Sequence, residues 1–386
     1  MIKNRGTHGI SPPLGCIYAK NKNKRGDCVA EKVMVGMSGG VDSSVAALVL
    51  QRQGYDVCSA TLRLFNNDDV GLNDRTRTCC SLEDVEDARS VAYKLNINHY
   101  VFNFSDQFKE QVIKRFANSY ERGETPNPCI ECNRYIKFGK MIERAAILDC
   151  DYIATGHYVK RQYDSVSGRY LLKKATDNTK DQTYMLYPLT QKMLAKTLFP
   201  LGDMHKSQAR DLAEEANLIN ARKPDSQDIC FVKDGDYAGF LEKIMGVKSP
   251  QGSFIYKDGT ILGKHKGIIH YTIGQRKGLG ISYEHPLFVL DKNSDTNVIK
   301  LGENQDLFSN RLIADDVNYV AVDTLTTSMK VTAKARYSQK ESPAVVHPLS
   351  EAQVMVEFKD PQRAITKGQA VVFYDGDIVV GGGTIR

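Results

Sequence analysis

The 386-residue sequence contains no tryptophan. That absence decides nothing about fold, but others exclude whole classes of protein. No stretch approaches the roughly 20 consecutive apolar residues that a membrane-spanning helix needs, so a membrane partner or span is excluded. Residues 1–30 lack an apolar core followed by a cleavage site and do not read as a secretory leader. There is no Gly-x4-Gly-Lys-Ser/Thr pattern and no Gly-x-Gly-x-x-Gly behind a strand, which disfavours kinase-like and dinucleotide-binding readings. Solenoid repeats and low-complexity tracts are also missing.

What is present is 41% hydrophobic and 25% charged, the proportions of a soluble globular protein. The chain is too long for one core, so two or three domains are expected. Residues 1–32 hold seven Lys or Arg against two acids, so most of the net charge of +6 sits in that segment. It is weak evidence for a nucleic-acid partner, because binding depends on where positive charge is placed. Residues 1–31, without periodicity, read as a disordered basic tail. Nine cysteines, an odd number, fit a reducing, cytoplasmic compartment and reactive or metal-binding thiols better than a disulfide framework.

Strand and helix patterns alternate from residue 32 to about 220. A strand over 32–37 runs into Ser38–Ser44, and a helix follows to about Gln53. Further strands are expected over 55–62, 100–104 and 152–155, with helices over 81–95, 107–122 and 136–148. The helix at 81 opens with Ser81 and Asp84, close to a capping box. Such alternation predicts an α/β domain with a parallel sheet covered on both faces. Residues 221–285 read as a small central domain, in which 252–281 is Gly-rich with short apolar pieces and an Asp258-Gly259 turn. From 286 on, alternating runs dominate, and Asp375-Gly376 marks a hairpin, so a C-terminal antiparallel β-barrel or sandwich is expected.

Ser38-Gly39-Gly40-Val41-Asp42-Ser43-Ser44 is the most informative segment. Glycine lets backbone approach a phosphate closely. The amide end of the following helix favours an anion, and the serines add neutral donors. Asp42 is unnatural beside phosphates unless a cation intervenes, which makes Mg²⁺ the expected companion. The alternative is an ordinary β-turn-α junction with no ligand. The loop resembles the pyrophosphate loop of ATP pyrophosphatases, shared by argininosuccinate, GMP and NAD synthetases. It implies a reaction class and no particular substrate.

Thr125-Pro126-Asn127-Pro128-Cys129-Ile130-Glu131-Cys132-Asn133 is a second island. Two prolines fix the backbone ahead of a Cys-x-x-Cys pair that is redox-active, metal-ligating or structural. Structural zinc usually takes four ligands; no second such pair exists, and the adjacent Cys79-Cys80 chelates poorly. Cys230, in Asp228-Ile229-Cys230-Phe231, alone reads as a core cysteine at the end of a polar run leading into a short strand.

Together these segments resemble the bacterial-type tRNA-specific 2-thiouridylase family. So do Ala-Thr-Gly-His-Tyr at 154–158, Lys180-Asp181-Gln182, Gly-Gln-Arg-Lys-Gly-Leu-Gly at 274–280, Arg336-Tyr337 and Gly381-Gly382-Gly383. They run in the family's order from residue 32 to the end. The resemblance implies an ATP-dependent tRNA-uridine 2-sulfurtransferase, with Cys230 as persulfide carrier and Cys132 as partner nucleophile. Gly36, Met37, Ser38, Gly39, Gly40, Val41, Asp42 and Ser43 would hold ATP, with Leu62 and Gly156 lining the adenosine. Asn127, Pro128 and Cys129 would face the target base. His157, Lys180, Asp181, Gln182, Arg336, Tyr337 and Gln369 would touch tRNA, although each could equally be a solvated surface side chain. A cysteine desulfurase or a sulfur relay would supply the persulfide.

The chemistry has its own logic. A uridine C2 carbonyl is a poor electrophile, and transfer of AMP to its oxygen makes a leaving group. A persulfide, more acidic than a thiol, attacks as the anion. A second thiol then releases the sulfur and leaves a disulfide. One departure matters: many family members carry Asp where this chain has Cys129. Three thiols with an open position suit the alternative of an iron–sulfur cluster on Cys129, Cys132 and Cys230. Two other readings stay open: a pyrophosphate-loop ligase acting on a small molecule, and a non-catalytic RNA-binding module.

Overall fold

The computed structural model describes residues 21–22, 28–67, 70–71, 82–225, 229–232 and 235–386. Most of the basic tail, Ser81 of the expected capping box, the Cys79-Cys80 pair and Asp228 lie outside these residues.

Five parallel strands form the N-terminal sheet. Their spatial order is His99–Asn103, Asp56–Arg63, Lys32–Gly36, Tyr152–Ala154 and Thr197–Leu198. Val33, Met34 and Val35 are completely buried, as expected for a central strand covered on both faces. The chain builds outward from Lys32–Gly36 to one side first and then to the other. The order therefore reverses between that strand and Tyr152–Ala154, and the crevice at such a reversal is where open α/β sheets bind ligands.

Two long helices carry wide π-type turns. One covers 105–121 with its π stretch at Lys109–Ile113, and the other covers 128–147 with its π stretch at Cys132–Lys140. The second starts at Pro128, eight residues before the start that periodicity predicts, because Asn127 caps it by accepting from the Cys129 amide. Proline costs nothing in a first helical turn, where its missing N–H has no partner to lose.

A four-stranded sheet follows, built from Gly252–Tyr256, Ile261–His265, Phe288–Asn293 and Val298–Gly302. Its last two strands pair there, so the central sheet extends past the boundary at 286 that the change of pattern suggested. The six C-terminal strands close on themselves, because Phe308–Tyr319 pairs with both Val354–Arg363 and Ile378–Ile385. The expected antiparallel β-barrel is thus present. A hairpin of Val159–Asp164 and Arg169–Lys174, not anticipated from the sequence, joins the barrel through Ile378. Sheet and barrel share one buried cluster in which Met34, Tyr184 and Tyr187 accompany Val372 and Tyr374.

Candidate active site

Gly40 is extended and makes no side-chain cap, so the helix Val41–Arg52 presents unsatisfied amides at the carboxyl end of the central strand. Gly39 has φ +70°, and a Cβ there would stand 2.4 Å from the Asp84 carbonyl oxygen. On the other flank, a Cβ on Gly156 would stand 2.7 Å from the Ser43 nitrogen. The Met37 amide donates to Ala60 O at 2.8 Å and Thr61 Oγ1 to Met37 O at 2.7 Å, which ties the loop to the strand that carries Leu62. The loop and Gly156 therefore meet at the sheet's switch point, while Leu62 lies on the neighbouring strand just past the two residues that bond to Met37. Ser43 and Ser44 do not face it as donors: both hydroxyls donate to Gly40 O, at 3.0 and 3.1 Å. Of the three hydroxyl side chains, only Ser38 is exposed.

Asp42 does have a cation, and the protein supplies it. Lys206 Nζ donates to both Asp42 oxygens at 2.7 Å, and Tyr158 OH donates to Oδ1 at 2.8 Å. The argument for Mg²⁺ from an uncompensated carboxylate loses its premise. Lys206, Lys180 and Arg210 all reach Asp225, at 2.8, 2.8 and 3.1 Å. Burial works to raise the Asp225 carboxyl, but hydrogen bonds from Lys180 and Lys206 outweigh it and hold the group at about 2. Asn220, 3% exposed, donates to Gly39 O and to Ser44 Oγ, both at 2.9 Å, while its own Oδ1 has no partner among the described residues.

Cys132 is buried where the π stretch begins and belongs to the core cluster against which half-buried Cys230 packs. Leu62 touches the same cluster, so the strand to which the glycine loop is tied and both thiols border one apolar body. Residues 229–232 form a turn in place of the expected strand. Phe231 anchors that turn edge-on against Phe108 and Phe116 of the 105–121 helix, with ring centroids 5.7 and 5.5 Å apart. Cys129 is exposed. Among the described residues no three His, Cys, Asp or Glu side chains gather to hold a metal, so Cys129, Cys132 and Cys230 do not fit a three-thiolate cluster site.

The expected tRNA contacts divide. Gln369 Nε2 donates to Thr125 O at 2.6 Å, and the Thr125 amide to Lys367 O at 2.8 Å, so the barrel braces the segment that leads into the helix start at Asn127–Cys129. Asn127 and Pro128 border a cavity of about 460 Å³ that Arg115, Arg122 and Arg386 also line. Tyr337 is 43% exposed. Burial pushes the His157 imidazole well below its usual value, and Thr155 Oγ1 lies 2.8 Å from its Nδ1. The other polar groups are engaged by the fold. Asp181 accepts from the Ala175 amide and Thr183 Oγ1, Gln182 accepts from the Tyr158 amide, and Arg336 donates to Ala364 O and Thr366 Oγ1.

Three sequence profiles match nearly all of this architecture in order: a tRNA methyl transferase HUP domain over residues 31–234, a tRNA methyl transferase PRC-barrel domain over 238–303, and an aminomethyltransferase β-barrel domain over 309–385. The tRNA-specific 2-thiouridylase of Clostridioides difficile is 54% identical over 92% of this chain and 98% of its own length. The chain belongs to the tRNA-specific 2-thiouridylase family. Members from a Thermoanaerobacter species and Acetivibrio thermocellus are 53% and 51% identical, each over 92% of this chain, covering 98% and 99% of their own lengths.

Within this 2-thiouridylase, Tyr158, Lys206, Asn220 and Asp225 are residues around the loop to which sequence alone assigned no role. Tyr158 closes the quoted Ala-Thr-Gly-His-Tyr motif, and Asp225 lies shortly before the Cys230 segment. Lys206 and Asn220 carry no local signal, because only the packing of the helix Lys206–Glu215 on Val41–Arg52 brings that region to the loop.

Proposed function

We propose that this chain thiolates the wobble uridine of tRNA at C2, using ATP, with Cys230 as sulfur carrier and Cys132 as resolving thiol. The arrangement that carries the reading is a phosphate-type loop at the switch point of a parallel sheet, with Leu62 leading from it to the core that both thiols border. The uridine O2 takes the adenylyl group and pyrophosphate leaves. The outer sulfur of a Cys230 persulfide then attacks C2, and AMP leaves with the oxygen. The Cys132 thiolate attacks the Cys230 sulfur, the S–S bond to the substrate sulfur breaks, and 2-thiouridine departs. The Cys132–Cys230 disulfide that remains takes two electrons from an external thiol before the next turnover.

ATP supplies the leaving group, and the open amides of Val41–Arg52 with closely approached Gly39 and Gly156 suit its phosphates. Mg²⁺ is expected to accompany the nucleotide through its phosphate oxygens, because Asp42 is already compensated. Arg115, Arg122 and Arg386 line the cavity beside Asn127 but pair there with Glu131, Glu124 and Asp315, so a phosphate would have to exchange with those carboxylates; a groove of about 480 Å³ along 276–287 offers a second place for the RNA. Access to C2 requires the uridine to leave its stack. A cysteine desulfurase or a relay protein in the cytoplasm delivers the persulfide. The methyl transfer named by two of the profiles is not favoured, because a sulfonium donor uses neither a polyphosphate loop nor a pair of thiols.

Reconstitution tests the reading. Protein, ATP–Mg²⁺, a persulfide donor and unmodified tRNA are combined, and the nucleosides are analysed by mass spectrometry. 2-Thiouridine is expected with the wild type and not with Cys132→Ala or Cys230→Ala. Unaltered turnover in both variants would leave a ligase acting without thiols as the better reading.

A further inference from the structure

Lys206 Nζ makes three short contacts, to Asp42 Oδ1 and Oδ2 at 2.7 Å and to Asp225 Oδ1 at 2.8 Å. An ammonium has three N–H donors, so all are spent and none remains for a phosphate. Lys206 is 9% exposed, and its backbone amide donates to Asp177 Oδ2 at 3.0 Å, which fixes where the side chain starts. Asp42 sits in the first turn of the phosphate-loop helix, where a bare carboxylate would repel a polyphosphate and compete for the same amides. Tyr158 OH and Lys206 together pin both Asp42 oxygens. Asp225 in turn holds Lys206 between itself and the loop, and it also accepts from Lys180 and Arg210.

We propose that Lys206 is a positioning residue of the nucleotide site: the built-in counter-ion of Asp42, which cancels the negative charge inside the phosphate loop and leaves the helix amides free for polyphosphate. It works through Asp42 and does not touch the nucleotide. The inference rests on the ATP reading above.

The test measures binding to the full-length protein by calorimetry, with a non-hydrolysable ATP analogue and with inorganic pyrophosphate, at two salt concentrations. Lys206→Met is expected to weaken both ligands by about tenfold or more, and the loss should shrink as salt screens the exposed carboxylate. The double variant Asp42→Asn/Lys206→Met removes both charges and should recover most of the affinity. Lys206→Arg should stay within a few-fold of wild type. If Lys206 served packing alone, the double variant would bind no better than Lys206→Met. That result, or unchanged affinity in Lys206→Met, overturns the proposal. Lys206→Gln replaces Lys206→Met, with the same two outcomes, if thermal melting shows the methionine variant unfolded. A wild-type protein that binds neither ligand would instead overturn the ATP reading.

Discussion

Gly156 packs directly on Asp42: a Cβ at position 156 would stand 2.7 Å from the Asp42 carbonyl carbon. Both atoms are backbone-bound, so neither side can yield by a rotamer change. Gly156→Ala is expected to push the phosphate loop off the strand end, cost about 1–3 kcal/mol of stability as overpacking does, and weaken ATP binding more than tRNA binding. Titrating each ligand separately checks it; equal losses would mean a global defect.

Phe231 fixes the Cys230 turn through two edge-on ring contacts. The residue is 1% exposed, so Phe231→Ala should destabilise by about 3–5 kcal/mol. Phe231→Leu keeps most of the volume and should cost less. In both variants the Cys230 turn loses the Phe108 and Phe116 rings, so Cys230 should alkylate faster than in the wild type while Cys58 does not. Mass spectrometry of partly alkylated protein reads both rates in one sample.

The fold was largely legible because its signals are local. The strand into Gly39-Gly40, the Asp258-Gly259 and Asp375-Gly376 turns and the alternating runs after 308 each act over a few residues. The Val159–Lys174 hairpin escaped because Lys160 to Asp164 reads as a polar stretch, and its edge joins the barrel through a single residue pair. The candidate site divides the same way. The loop and the Cys129–Cys132 pair announce themselves, whereas Lys206 meets Asp42 across 164 positions of chain. Arg336, Asp181 and Gln182 looked like surface contacts because sequence shows polarity and not partners. Their hydrogen bonds lie with Ala364, Ala175 and Tyr158.

The cysteines should separate by reactivity. Burial, with Cys150 Sγ 3.7 Å away, pushes the Cys58 thiol up to about 12, and Cys150 is also raised by burial. Both remain thiols at neutral pH, and thiols are poor nucleophiles. Exposed Cys129 should therefore react with iodoacetamide well before Cys58 in native protein at pH 8. Because the three site thiols do not gather around a metal position, protein purified anaerobically is expected to be colourless, iron-poor and active. Stoichiometric iron that activity tracks would refute this.

Lys292 gives the clearest pH signature. It is 5% exposed, donates to Tyr271 O at 2.9 Å, and lies 5.8 Å from the Tyr120 ring centre, where the central sheet meets the 105–121 helix. Burial lowers its pKa from the usual 10.5 to about 8, against weaker support from Asp291 and Glu124. Below pH 8 both folded and unfolded states hold the proton, and the buried charge is carried at full cost. Between about 8 and 10.5 the unfolded chain keeps the proton that the folded protein has released. The unfolded state then binds more protons, so stability rises with pH on this group's account. At 1.36 kcal/mol per unit, the rise is about 3 kcal/mol at most. Lys292→Met, similar in volume and uncharged, should be more stable than wild type at pH 7, with the gap closing by pH 10. Urea unfolding of both proteins at pH 7, 8.5 and 10 reads the difference directly. A gap that stayed constant across the three would mean that Lys292 is neutral, or fully solvated, throughout.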